Sequence, residues 1–159
     1  MLQLSDYTLD TSGIDWGEAF ASWAWILPAE FTLWIVNRFG EPFLVLEDGS
    51  VHRLDLGCGT LDRLVDSRDA FAEAIHEGEH AQDWFLAPLV DRLREAGIHL
   101  KAGECYGFIQ LPVFGGAYSI ENIRPMALAH VFKALGPILE GIKEIPDGER
   151  VKFRIISGR

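Results

Sequence analysis

Pro42–Val65 reads PFLVLEDGSVHRLDLGCGTLDRLV, and this stretch decides the fold class. Pro42–Glu47 is an apolar run of strand length. In Glu47-Asp48-Gly49-Ser50 the central Asp-Gly pair tolerates positive φ at both positions, which a two-residue hairpin turn demands. Val51–Leu56 then alternates, Val51, Arg53 and Asp55 against His52, Leu54 and Leu56, as expected of a strand with two unlike faces. Gly57-Cys58-Gly59 supplies a second turn, and Thr60–Val65 a third strand. Strands joined by turns this tight pair antiparallel, so the stretch predicts a β-meander.

Toward the N-terminus, Phe31–Phe39 fits either a strand or a short helix, and Gly40 closes it. Asp15 predicts the cap of a helix running to about Ile26, with Trp16, Phe20, Trp23 and Ile26/Leu27 on one face. Pro28 ends it, and residues 1–13 read as a loose polar lead-in. Toward the C-terminus, Asp66 or Ser67 caps a helix over Arg68–Glu77 with Phe71, Ala74 and Ile75 inward. Gly78 is its C-cap. A second helix is expected over about Gln82–Ala96, kinked at Pro88 and ended by Gly97.

Gly103–Ile123, GECYGFIQLPVFGGAYSIENI, reads as a bulged hairpin with strands Cys105–Gln110 and Ala117–Ile123. A further helix is expected over Ala127–Ile142 with Leu128, Val131, Phe132, Leu135, Ile138 and Leu139 on one face, broken at Pro137. A turn at Pro146-Asp147-Gly148 and a last strand at Val151–Ile156 complete the chain. There are no repeats and no linker. The expectation is a single α+β domain over 1–159, an antiparallel meander and central hairpin packed with several helices.

A chain of 159 residues with 48% apolar content can bury a real core. The first ten residues lack the basic and apolar regions of a signal peptide, and no apolar run reaches the roughly 18 residues of a membrane span. Two cysteines are too few for a disulfide scaffold, so reduced thiols and a cytoplasmic setting are expected. With 24 acidic and 14 basic residues the net charge is −10, which argues against direct nucleic-acid binding. The charge is unevenly spread: residues 1–83 carry 16 Asp/Glu and 4 Arg, whereas 84–159 carry 8 acidic and 10 basic residues. Such a chain can offer an acidic face to a basic protein partner, although an acidic surface also serves solubility alone.

His76-Glu77-Gly78-Glu79-His80 matches the zinc-protease pattern H-E-x-x-H letter for letter. That chemistry needs both imidazoles one turn apart on one helix, and Gly78 is where the helix is expected to end. The third metzincin histidine would fall on Leu86, leaving a more distant third ligand such as Glu95 or Glu104. No metal and no cofactor are therefore assigned, and a zinc hydrolase stays as an alternative reading. Cys105 has His52, His99 and His130 as conceivable bases, yet no neighbouring cation or helix N-terminus to activate it, so a buried inert thiol is expected. Cys58 sits in Gly57-Cys58-Gly59-Thr60, which lacks the lysine of a phosphate loop. No catalytic residue is assigned. Asp66, Asp69, Glu73 and Glu77 fall at i, i+3, i+7 and i+11, which places them on one helix face, followed by Glu79 and Asp83. A solvated face is one reading, and a docking surface for a basic protein, anchored by Trp84, is the other.

Three blocks resemble a known family. The first runs from Asn37-Arg38-Phe39-Gly40 through Leu46–His52, Leu54-Asp55 and Gly59-Thr60-Leu61 to Asp66-Ser67-Arg68-Asp69. The second is Cys105-Tyr106-Gly107-Phe108 with Pro112. The third is Gly115-Gly116-Ala117-Tyr118-Ser119 with Glu121-Asn122. Over about residues 14–150 the pattern resembles type VI secretion immunity proteins, whose N-terminal half is called GAD-like (here about 14–80) and whose C-terminal half is an immunity region (here about 81–150). A weaker likeness is to the SUKH-type immunity proteins. The first resemblance implies a cytoplasmic, non-enzymatic antidote that binds a cognate DNase toxin, with no site residues carried over. An orphan interaction module of the same architecture is the other alternative.

Overall fold

The computed structural model describes residues 3–145, apart from the side chains of Glu79 and Ala81. The turn at 146–148 and the strand expected at 151–156 lie outside the described residues. The meander forms, but its Asp48-Gly49 turn is not the two-residue one expected. Of Asp48 and Gly49 only Gly49 takes a positive φ, 87°, and Leu46 N donates to the Ser50 carbonyl at 2.9 Å, so Glu47, Asp48 and Gly49 make a three-residue connection. Strands β1 (Phe31–Val36), β2 (Pro42–Leu46), β3 (Val51–Asp55) and β4 (Thr60–Val65) pair antiparallel in sequence order. The ambiguous Phe31–Phe39 segment resolves as β1, because β2 offers it a partner, with Phe31 opposite Leu46 and Val36 opposite Pro42.

Why β2 is apolar throughout follows from its position. Phe43 and Val45 face one side and join Val51, Phe71, Ile75 and Phe85 in a core beneath α3 (Arg68–Glu77) and α4 (Glu79–Phe85). Leu44 is equally buried on the other face. There Leu54 and Leu56 meet Trp23 and Phe132, from the segment after α2 (Trp16–Ala21) and from α6 (Leu128–Ile142). Trp23 also donates its indole N–H to the Phe132 carbonyl at 2.8 Å, which satisfies its polar atom in a fully buried setting.

Several expectations need correction. The N-terminal lead-in is not loose: α1 (Leu4–Tyr7) is a helical turn, Thr8 bridges to Asn37, and the Tyr7 hydroxyl donates to Asp91 at 2.8 Å. Asp15 caps α2 as expected, accepting from Glu18 N at 3.1 Å, but the helix stops at Ala21 and hydrogen-bonded turns carry the chain to Leu27. The second helix of the middle region is two helices, α4 and α5 (Ala87–Glu95), separated by Leu86 at φ 51°. Pro88 falls in the first turn of α5, where a missing N–H costs nothing.

The central hairpin forms with a different partner strand. β5 (Glu104–Phe108) pairs with β6 (Ile123–Ala127), Phe108 opposite Ile123 and Glu104 opposite Ala127. Residues 117–119 are loop because Asn122 closes the connection with its side chain. Its Oδ1 accepts from Gln110 N at 2.9 Å, and its Nδ2 donates to the Gln110 and Ala117 carbonyls at 2.8 and 2.9 Å. Those bonds take up groups that a strand ladder would otherwise need. Finally, α6 runs unbroken through Pro137. The proline sits on the exposed side, where water can satisfy the carbonyl it frees. On the same helix Gly136 packs against Ser22 so closely that a methyl group there would come within 2.2 Å of the Ser22 carbonyl.

Candidate functional site

Two places combine chemistry-bearing residues: the acidic surface of α3 and α4, and a buried polar turn between β1 and β2. Ser67 caps α3, its Oγ accepting from Ala70 N at 3.0 Å, so Asp66 precedes the helix. Asp66 therefore does not share the helical face expected of it. Its carboxylate instead takes the Arg63 guanidinium, at 2.8 and 3.2 Å. Asp69, Glu73 and Glu77 do form one stripe at i, i+4 and i+8, all exposed, opposite buried Phe71 and Ile75. Gly78 at φ 87° ends the helix with its N–H on the Ala74 carbonyl. The chain enters α4 at once, with Glu79 as its first residue.

Asp83 is exposed near the end of α4, whereas Trp84 is half-buried. Its ring stacks on Phe71, with centroids 5.1 Å apart at 14°, and on His80, at 6.0 Å and 20°. Trp84 is thus a core-anchored aromatic rather than a free one. The last carbonyls of α4 are taken by cationic and amide donors: Arg53 Nη1 lies 3.4 Å from Asp83 O and 3.3 Å from Trp84 O, and Asn37 Nδ2 lies 3.2 Å from Trp84 O. A guanidinium at a helix C-terminus is favourably placed for the helix dipole. The acidic segment is therefore tied to the sheet at the end of α4.

The H-E-x-x-H letters do not make a zinc site geometry. His76 lies in the last turn of α3 and His80 in α4, on opposite sides of the left-handed Gly78. Among the described residues no group of three or more His, Cys, Asp or Glu could hold a metal ion. Cys105 is fully buried, and burial first, then the nearby Glu104 and Glu41 carboxyls, push its thiol up to about 12. Such a thiol carries no thiolate at neutral pH and is no nucleophile. Cys58 is half-buried, and its thiol is raised by burial and then by Asp55, against a hydrogen bond with Tyr118.

Sequence reasoning missed the β1–β2 turn. Asn37 is 0% and Glu41 5% exposed. Asn37 Oδ1 accepts from Phe39 N and Glu41 N, both at 3.0 Å, and its Nδ2 donates to Glu41 Oε1 at 3.0 Å. Glu41 Oε2 accepts from Leu56 N, also at 3.0 Å. Burial, reinforced by Asp55 and opposed by Arg53, raises the Glu41 carboxyl well above the ordinary carboxylate range. The signal available was Glu41 itself, a lone acid between Gly40 and the apolar run of β2. Beside it lies a cavity of about 180 Å³ between the hairpin, α6 and the turns of the meander.

Residues 65–138 match the family model described as T6SS immunity protein Tdi1, C-terminal. The matched segment starts at the end of β4 and reaches into α6, a little under half of the chain. It includes α3, α4 and the whole β5–β6 hairpin, and it supports a type VI secretion immunity family for this region. No curated protein matches the chain. Among the described residues no helix is long and apolar enough to cross a membrane.

Proposed function

We propose that this protein is a cytoplasmic immunity protein that binds and neutralises a cognate type VI secretion DNase toxin by protein–protein contact, without catalysis or a cofactor. The observation that carries this reading is the immunity-family match over 65–138. It spans the Cys105–Phe108 and Gly115–Asn122 blocks through which the chain resembles such proteins. In this reading about 14–80 takes the GAD-like role and 81–150 the immunity role, the match beginning at 65 within the first of these ranges. A DNase must carry a basic groove for the phosphate backbone. A protein of net charge −10 with exposed Asp69, Glu73, Glu77 and Asp83 on consecutive helices is complementary to such a groove.

The docking face is then Asp66, Asp69, Glu73, Glu77, Glu79 and Asp83 with the exposed part of Trp84. Asp66 contributes least, because Arg63 already neutralises it. The test is interface mapping by hydrogen exchange on the complex with a catalytically inactive toxin. Protection over 66–84 supports this face. Protection confined to other elements removes it while leaving the immunity role standing.

A further inference from the structure

Well-packed interiors hold few voids larger than a water molecule. The cavity beside Glu41, at about 180 Å³, is larger than an engineered apolar cavity of about 150 Å³ that takes up benzene. Its wall differs from such a cavity in one respect: the buried acid Glu41 lines it among Phe39, Tyr106, Phe108 and Met126. Each of its carboxyl oxygens accepts one hydrogen bond, from Asn37 Nδ2 and Leu56 N, and keeps a second lone pair. The space is bounded by α6 through Val131, Ala134 and Leu135, and exposed His130 stands at its edge. Phe39 has Tyr106 and Phe108 as ring neighbours, at 5.7 and 5.6 Å, so three aromatic rings cluster at the wall.

The charge around Glu41 is one-sided. Asp55 on β3 adds a second carboxylate, and Cys105, Cys58 and Tyr118 hold their protons more tightly through burial first and then through the acids near them. The opposing cation, Arg53, is already engaged with Asp55, Asp62 and the last carbonyls of α4. A buried carboxyl and clustered aromatic rings both favour a cation and disfavour an anion.

We propose that this cavity is a binding site for a small organic amine, an ammonium group on an apolar body of roughly six to nine heavy atoms. The ammonium pairs with the Glu41 carboxylate, and the apolar body fills the space between the aromatic wall and α6. Because burial keeps the empty-site carboxyl protonated more readily than usual, pairing releases its proton to solvent: the neutral acid and the ammonium become a carboxylate–ammonium pair plus one proton. The site is independent of any toxin, and no part of it lies on the acidic surface of α3.

The test is calorimetric titration of the full chain at pH 7 with benzylamine, with benzyl alcohol as its neutral analogue and benzoate as an anion. The expected result is benzylamine binding at least about tenfold tighter than benzyl alcohol, no benzoate binding, and proton uptake by the buffer on amine binding. Glu41→Gln should reduce benzylamine to the level of the alcohol. Ala134→Leu, which fills the cavity from α6 without touching the carboxyl, should abolish binding of both in a protein that still melts cooperatively. Equal affinity for amine and alcohol, absence of amine binding, or amine binding unchanged in Ala134→Leu would each overturn the proposal.

Discussion

Replacing Asn37 with alanine should be among the most damaging single changes in this chain. The side chain is fully buried and makes four hydrogen bonds: it accepts from Phe39 N and Glu41 N, and donates to Glu41 Oε1 and the Trp84 carbonyl. Alanine leaves two backbone N–H groups, one carboxyl oxygen and one carbonyl without that partner. Arg53 still reaches the Trp84 carbonyl at 3.3 Å, so three orphans count in full. At about 1–1.5 kcal/mol each, the expected loss is roughly 3–5 kcal/mol. That is a large share of the 5–15 kcal/mol typical of a domain. Urea unfolding followed by tryptophan fluorescence reads it directly, as a lower midpoint at unchanged slope. In a chain of this size the melting temperature should fall by about 10 °C. A loss under about 1 kcal/mol would refute the claim that Asn37 holds the β1–β2 turn and ties it to α4.

Four further outcomes follow from the same structure. Reversing Asp69, Glu73, Glu77 and Asp83 to lysine should leave the fold intact, since all four are exposed, but slow toxin association by about tenfold or more at low salt; an unchanged rate in stopped-flow mixing removes the acidic face from the interface. Glu41 binds its proton more tightly folded than unfolded, so its contribution is fully present below the unfolded carboxyl pKa and is lost as pH rises toward the raised folded value, by about 1.4 kcal/mol per pH unit. Glu41→Gln should remove that slope in urea titrations between roughly pH 5 and roughly pH 7, and a slope identical to wild type would contradict the raised carboxyl. Gly136→Ala gains helix propensity of about 1 kcal/mol but drives a methyl to 2.2 Å from the Ser22 carbonyl, so a net loss of about 1–3 kcal/mol is expected, and a higher melting temperature would show that the α2–α6 contact yields easily. The double change His76→Ala and His80→Ala should leave protection against the toxin within about twofold in a co-expression survival assay, because the two rings lie on separate helices; complete loss of protection would reopen a role for the motif.

How much of this was legible in the sequence depends on the range of the interactions. The Asp48-Gly49 turn signal, the period-two alternation of β3 and the Ser67 cap with Gly78 at its far end are local, and β2, β3, β4 and α3 form where they put them, although the turn takes three residues with positive φ at Gly49 alone. The hairpin takes Ile123–Ala127 rather than Ala117–Ile123 as its second strand because Asn122 substitutes side-chain bonds for a ladder, and nothing in the β-propensity of Ala117–Ile123 reveals that. Continuity of α6 through Pro137 was hidden for a related reason: packing of Phe132, Gly136 and Leu139 outweighs the lost bond. At the surface, helical spacing identifies Asp69, Glu73 and Glu77, whereas Asp66 lies before the helix that Ser67 caps and so falls outside the stripe its spacing suggests. The Asn37–Glu41 pair was out of reach, because its meaning depends on Leu56 and Trp84, which lie 15 and 47 residues away from their partners.

The central claim is that this protein neutralises a toxin by binding it. The most direct measurement is DNA cleavage by a candidate cognate nuclease toxin, with and without an equimolar amount of this protein, run together with co-purification on a catalytically inactive form of that toxin. The account predicts a stable complex and cleavage that stops at equimolar protein. Cleavage at full rate in the presence of folded protein, with no complex recovered, would contradict it.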